Sequence, residues 1–386
     1  MKHVLITGAT GVLGSELVPR FVRDPDVTVH LLIRANDKTH LHARLVDLFQ
    51  YWELSPDDPR AQQIRAYQGD VCADQLGVSD ELYRRFQSLL THIVHSAGNV
   101  KLNQPVAAAR QHAVGSVRNI LALTNACQTN GQFEKLDAVS TIGVAGMRSG
   151  MIQEVRLPTP ERGYRNTYEQ AKAEAEEILW QASADGLPLT VHRPSMIVGD
   201  ANTGKVLTFQ VFYYLCEFLT GRRSFGIVPE MGTVKLDIIP VDCVADAIHA
   251  SCFSSHTTGK VYHLCTGDSD SLPLRDLANR LREMYRSRGI SLPTTRTVPL
   301  SVLTQASRLL QYVGTKKIRK TTSSLVQFLR YLATEQSFDT SQYDLFRAEC
   351  SLRRPTPETY LELLVDQFLQ GRAKRAEVKQ RSHVGA

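Results

Sequence analysis

Val4-Leu5-Ile6-Thr7-Gly8-Ala9-Thr10-Gly11-Val12-Leu13-Gly14 opens the chain almost at its first residue. An apolar run feeds a turn with glycines at 8, 11 and 14, and a helix-like segment follows. Strand, tight turn and helix in that order make a phosphate-binding unit: the glycines let the backbone turn sharply, approach a pyrophosphate and seat the helix against the sheet. The helix N-terminus then offers unpaired N–H groups and a positive dipole end. Thr7, Gly8, Thr10, Gly11, Val12, Leu13 and Gly14 are therefore candidate cofactor contacts.

Working outward, apolar runs recur at Val27 to Ile33, Ile64 to Tyr67, Ile93-Val94, Leu136 to Val139 and Leu187 to Val191, with helix-like segments between them. That alternation predicts an α/β fold: a doubly wound parallel (Rossmann) sheet with helices on both faces. Ligands in such sheets bind beyond the carboxyl ends of the strands, so the residue after each run carries the information.

After the second run stands Arg34, where an NAD-selective site places an acid for the ribose 2′-hydroxyl. A guanidinium there favours a 2′-phosphate, hence NADPH, with Lys38 as a weaker helper. Asp70-Val71 follows the third run; the carboxylate suits either the adenine amine or a turn cap. Ala97 and Gly98 follow the fourth and are small enough for a cofactor to lie close, although small residues also simply make turns. Ser140 and Thr141 bring two hydroxyls to the end of the fifth, where hydroxyls also serve as caps. Tyr168 and Lys172, four apart in a helix-forming segment that runs to about Ala184, share one helix face. A phenol with a pKa near ~10 is a poor acid or base at neutral pH, and a nearby ammonium lowers that pKa.

In this order the residues resemble the extended short-chain dehydrogenase/reductases: Gly8-x-x-Gly11-x-x-Gly14, Asp70, Thr141, Tyr168-x-x-x-Lys172 and Arg193-Pro194-Ser195-Met196. Ser140 to Ala145 and Leu236 to Asp242 are similar to the thioester reductase and fatty acyl-CoA reductase branch, and the late Ser337-Phe338-Asp339-Thr340 is similar to the alcohol-forming acyl reductases. The resemblance implies that Tyr168 donates a proton, that Lys172 lowers its pKa and contacts the nicotinamide ribose, and that Thr141 holds the substrate carbonyl oxygen, with Ser140 the lesser partner. It adds Pro194, Ser195 and Met196 to the cofactor contacts. The implied reaction is NADPH-dependent reduction of an acyl thioester, on coenzyme A or a carrier protein, to the aldehyde and in some members on to the alcohol. Two other readings share the same core motifs: a reductase or epimerase of another small carbonyl compound (a sugar nucleotide, sterol or ketone), and a non-catalytic NADP-binding protein. The family's Asn, three residues before the glycine of the helix after the fourth strand, is replaced here by His112. That side chain is read as a helix-surface or core histidine.

The expected division is residues 1–200 plus about 236–265 for the NADP-binding domain, with 201–235 and 266–371 forming a smaller, mainly helical, discontinuous substrate subdomain. Leu236 to Val241 and Val261 to Leu264 are expected as late strands returning to the sheet region. The aromatic cluster from Val206 to Leu219 is read as ordinary core, and the stretches 300–313 and 325–332 as amphipathic helices. Those helices suit a lid over an acyl chain, with peripheral membrane contact as a further role. Residues 372–386, polar and basic, are expected to be a frayed or disordered tail.

With 386 residues and 42% hydrophobic content the chain can bury a large core. Its net charge of +6 comes with basic runs but no nucleic-acid reading motif, so a nucleic-acid partner is not expected. No transmembrane span or signal peptide is indicated, which makes the cytoplasm the default location. The seven cysteines form no C-x-x-C pair and no metal is expected; they are read as reduced, mostly buried thiols.

Overall fold

The computed structural model describes residues 1–313, 329–331 and 334–384. Seven strands form the main sheet: β1 (Lys2–Thr7), β2 (Val27–Ile33), β3 (Ile64–Gln68), β4 (His92–His95), β5 (Lys135–Val139), β6 (Leu189–Pro194) and β7 (Val261–Leu264). They are parallel throughout, in the order β3-β2-β1-β4-β5-β6-β7. The expected doubly wound sheet is therefore present. Its order reverses between β1 and β4, and the crevice at their carboxyl ends is where such sheets bind ligands.

The helices are α1 (Val12–Phe21), α2 (Lys38–Trp52), α3 (Asp80–Leu89), α4 (Val106–Arg110), α5 (Ser116–Asn130), α6 (Thr167–Ala184), α7 (Val211–Leu219), α8 (Val241–Cys252), α9 (Leu274–Ser287), α10 (Leu300–Val313), α11 (Ser341–Glu349) and α12 (Pro357–Val384). Alternation along β1 shows how two faces are filled. Val4 and Ile6 join a core with Leu17 and Phe21 of α1 and Ile248 of α8, while Leu5 points the other way to Phe86, Ile120 and Leu179 of α3, α5 and α6. A separate core joins α7, α9 and α12 through Phe212, Tyr213, Leu277, Tyr285, Tyr360 and Leu364. The aromatic cluster expected as core thus supplies Phe212 and Tyr213 to it, whereas Tyr214 stays 44% exposed.

Two expectations are corrected. Val261–Leu264 does return to the sheet, as its edge strand, but the stretch 236–241 does not. Lys235–Leu236 pairs with Leu272–Pro273, Ile238–Pro240 pairs with Met196–Val198, and Val241 starts α8. The break falls at Asp237, whose carboxylate turns inward to accept the N–H groups of Thr266 (3.0 Å) and Gly267 (2.9 Å) and the hydroxyl of Ser271 (3.0 Å). The tail also differs: backbone from Arg372 to Val384 continues α12 as helix rather than fraying. The basic run at 316–320 and most of the stretch 325–332 lie outside the described residues.

The late Ser337 to Thr340 segment lies in a small two-stranded sheet of its own beside the main one. Gln336–Phe338 pairs in parallel with Gly150–Ile152, and Tyr343 and Phe346 of α11 enter the core beside α8. Glu154 fixes the junction: its buried carboxylate accepts N–H groups from His263 (2.7 Å), Gln342 (2.6 Å) and Tyr343 (3.2 Å). Burial pushes this carboxyl up to about 7 against the pull of those hydrogen bonds. All seven cysteines are free thiols, five of them buried. Among the described residues no helix is long and apolar enough to cross a membrane.

Candidate active site

The glycine turn sits at the carboxyl end of β1, against the chain leaving β4. Gly8 has φ +78°, and a Cβ on it would lie 2.8 Å from the Ala97 Cα; a Cβ on Gly14 would lie 2.1 Å from the Gly8 carbonyl oxygen. Only glycine fits either position, because those neighbours are main chain and cannot yield. Thr7 braces the two strands: its hydroxyl lies 2.9 Å from His95 Nδ1 and accepts the Ala97 N–H at 3.3 Å. The side chains of Val12 and Leu13 are buried in the core, which leaves their backbone facing the turn.

Arg34 is exposed at the end of β2. Beside it stands a residue the sequence reading missed. Arg44 of α2 donates to the Arg34 carbonyl (2.5 Å) and to the hydroxyl of Thr10 in the glycine turn (2.7 Å). Burial, and then the positive charge of Arg34, lower the Arg44 pKa. A signal was present: Leu41, Leu45, Leu48 and Trp52 recur at helical spacing, so the face carrying Arg44, one turn before the buried Leu48, points inward.

Asp70 accepts the Cys72 N–H at 2.9 Å as a turn cap, and Asn119 holds the same turn through the carbonyls of Val71 and Ala73, both at 2.9 Å. Pro194 ends β6, the Ser195 N–H donates to the Leu264 carbonyl (3.0 Å), and Met196 starts the short strand beyond.

Gly98, Tyr168 and Lys172 line one cavity, together with Asn99, Gln104 and His112. Tyr168 and Lys172 come one turn apart on α6, which Asn166 precedes; the Asn166 side chain caps the helix by accepting the Glu169 N–H at 3.0 Å. Thr141, just past β5, hydrogen-bonds the Tyr168 phenol, and its Oγ1 accepts the Gly143 N–H at 3.1 Å. Lys172 Nζ donates to the Val139 carbonyl at 2.7 Å. Ser140, by contrast, is buried and gives its hydroxyl to Glu176 at 2.5 Å, a carboxylate also held by Arg193 and Trp180. The strand-end pair is thereby resolved: Thr141 faces the phenol and Ser140 braces α6.

Charge in this pocket is set by desolvation. Burial pushes the Tyr168 phenol up to about 12, opposed by Thr141, so the phenol is not brought below its ordinary 10 as the resemblance to the family implied. Burial brings the Lys172 ammonium down to about 8, with Glu176 pulling the other way. His95, buried below them, is driven down to about 3 by burial and by the Lys172 charge. The phenol is neutral and can donate a proton; the lysine is poised between charged and neutral.

His112 is neither a plain surface nor a core histidine. It lines the cavity, on a π-helical turn (Gln111–Gly115) between α4 and α5, with Nδ1 3.6 Å from the Cys72 Sγ. Such a turn widens the helix and is common at functional sites.

The family model described as "Male sterility protein" matches residues 6–248. The chain is 31% identical over 268 residues to the isonitrile lipopeptide synthase of Streptomyces coeruleorubidus, covering 68% of this chain and 18% of that protein. It is 26% identical over 310 residues to the L-2-aminoadipate reductase large subunit of Eremothecium gossypii, covering 75% of this chain and 22% of that one. The chain thus spans only about a fifth of either relative's length. Among solved structures, the terminal R domain from the myxalamid PKS-NRPS biosynthetic pathway superposes with a TM-score of 0.77 at 22% identity, over 96% of this chain and 91% of that one. A thiolation-reductase di-domain from an archaeal non-ribosomal peptide synthetase gives 0.72 at 20% identity, over 96% and 76%.

Proposed function

The chain belongs to the male sterility protein family of extended short-chain dehydrogenase/reductases, and from that premise we propose that it reduces a carrier-bound acyl thioester to an aldehyde with NADPH. The observation that carries this reading is the contact between Thr141 and a neutral Tyr168, with Lys172 one turn on in the same cavity. The glycine turn suits a dinucleotide, since Cβ atoms at Gly8 and Gly14 would close it. Arg34 and Arg44, two cations held together beside Thr10, favour a ligand with one more phosphate, which supports NADPH over NADH. Thr7, Val12, Leu13, Asp70, Val71, Ala97, Gly98, Pro194, Ser195 and Met196 complete the proposed cofactor contacts along the same ends of the strands.

When bound, NADPH supplies the hydride. Negative charge then grows on the carbonyl oxygen, and the hydroxyls of Thr141 and Tyr168 are placed to stabilise it. Tyr168 passes its proton to that oxygen, and the Lys172 ammonium stabilises the phenolate left behind. The resulting hemithioacetal collapses: its hydroxyl proton returns to the Tyr168 phenolate, the C–S bond breaks, the aldehyde forms, and the sulfur leaves as a thiolate that takes a proton from water. The relatives named above include a multidomain synthase and an aminoadipate reductase, and one structural neighbour pairs a thiolation with a reductase domain. That company supports a carrier protein over free coenzyme A as the thiol.

The test follows NADPH absorbance with acyl thioesters on coenzyme A, on pantetheine and on a carrier protein, beside free aldehydes and ketones, with products identified by mass. Turnover of thioesters to aldehyde is expected, fastest on the carrier. Turnover of ketones with none of thioesters overturns the reading.

A further inference from the structure

The first turn of a helix is its least constrained part, because its N–H groups have no partner within the helix. Tyr168 sits in that turn, the second residue of α6, so its aim depends on what holds residues 165–169. On one side Thr167 donates to the Gln104 carbonyl at 2.8 Å. On the other side the partners come from a stretch more than 160 residues away.

We propose that Tyr331 is a positioning residue for Tyr168: its hydroxyl ties the capping Asn166 to Glu169 across the first turn of α6. The Tyr331 oxygen accepts from Asn166 Nδ2 at 3.0 Å, and its hydroxyl interacts with the Glu169 carboxylate. Glu169 is fully buried, so its carboxylate depends on such partners; its Oε2 also accepts the Arg165 N–H at 2.9 Å. The Arg165 guanidinium lies over the Tyr331 ring, 5.1 Å from its centroid, and reaches Gln336 Oε1 at 2.5 Å. Arg330 donates to the Arg165 carbonyl at 2.5 Å, and Gln336 Nε2 donates to the carbonyls of Gly146 (2.9 Å) and Arg148 (2.6 Å). Arg330, Tyr331 and Gln336 therefore hold the turn that presents the phenol. These three residues, none of which lines the reacting cavity, set the geometry of proton transfer, where small misplacements are costly.

This inference rests on Tyr168 being the proton donor of the reaction proposed above. The variants are Tyr331→Phe, which keeps the ring over Arg165, and Asn166→Ser, which keeps a capping oxygen but loses the donor to Tyr331. Hydrogen exchange in the 386-residue chain reads the clamp without turnover: amides of residues 167–170 are expected to exchange about tenfold faster in either variant, the equivalent of one lost hydrogen bond. With whichever thioester or aldehyde the parent chain reduces, kcat is expected to fall about tenfold in each variant. KM for NADPH should stay within about twofold, and the double variant should be no slower than the worse single one. Unchanged exchange, unchanged kcat, a loss confined to KM, or losses that multiply in the double variant each overturn the assignment. A parent chain that reduces no thioester overturns the reaction instead, and exchange still decides the clamp.

Discussion

At the glycine turn the main chain does the shaping, whereas at Tyr168 buried polar side chains do it. Gly8 and Gly14 meet backbone atoms at distances that no side chain could tolerate, so the cradle is a matter of steric exclusion among a few neighbouring residues. The phenol end is assembled from Thr141 after β5, Lys172 within α6, Asn166 and Glu169 at its start, and Tyr331 from far along the chain. Its chemistry comes from desolvation, which holds Tyr168 protonated and loosens the proton on Lys172. On the function proposed above, one end binds by shape and the other reacts by electrostatics, and substitutions should separate them.

The largest effect belongs to the reacting end. Tyr168→Phe removes the acid and keeps the ring, so kcat should fall by about 10²–10⁴-fold, the usual worth of a positioned proton donor. The dissociation constant for NADPH, measured by fluorescence of the binary complex, should move less than about threefold. Loss of binding along with turnover would mean that the two ends are not separable.

The binding end should respond in the opposite way. Arg34→Ala and Arg44→Ala each remove a charged donor, worth about 1.5–3 kcal/mol, and KM for NADPH should rise by about 10–100-fold with kcat nearly kept. KM for NADH should barely change. Arg44 has the sharper test because it also ties Thr10 to Arg34: if Arg44→Ala weakens NADH as much as NADPH, its role is to hold the glycine turn and not to read a phosphate.

The same contrast explains what could be read from sequence. A steric cradle leaves a local pattern, since Gly8, Gly11 and Gly14 must be small and must follow a strand; Tyr168 and Lys172 were legible because one helix fixes their spacing. Arg44 was not, for it reaches the turn through the placement of α2, although the apolar spacing of Leu41, Leu45, Leu48 and Trp52 marked the inward face. His112 reaches the cavity through a π-helical turn, which carries no simple periodic signature. Tyr331 was out of reach because its partners are set by tertiary packing of separate stretches. The break at Asp237 was hidden for a related reason: an apolar run that reads as one strand is divided by the hydrogen bonds of a single buried carboxylate.

The smallest expected effect is a pH dependence that joins the two ends. Burial lowers the Lys172 ammonium from its ordinary 10.5 to about 8, so its charge is present below that pH and is lost as pH rises through it. Proton transfer leaves a phenolate that only the charged lysine stabilises, so kcat/KM, which reports the free enzyme, should have a basic limb near pH 8 and fall about tenfold by pH 9. Lys172→Arg cannot lose its charge in this range, and its slower reaction should be flat from pH 7 to 9. If the basic limb survives in that variant, the group that titrates is not Lys172. His95 is excluded as its source, because burial and the neighbouring ammonium keep that imidazole neutral far below the range. The limb would then report a group outside the reacting pocket, and desolvation at the phenol end would no longer account for the pH dependence of the reaction.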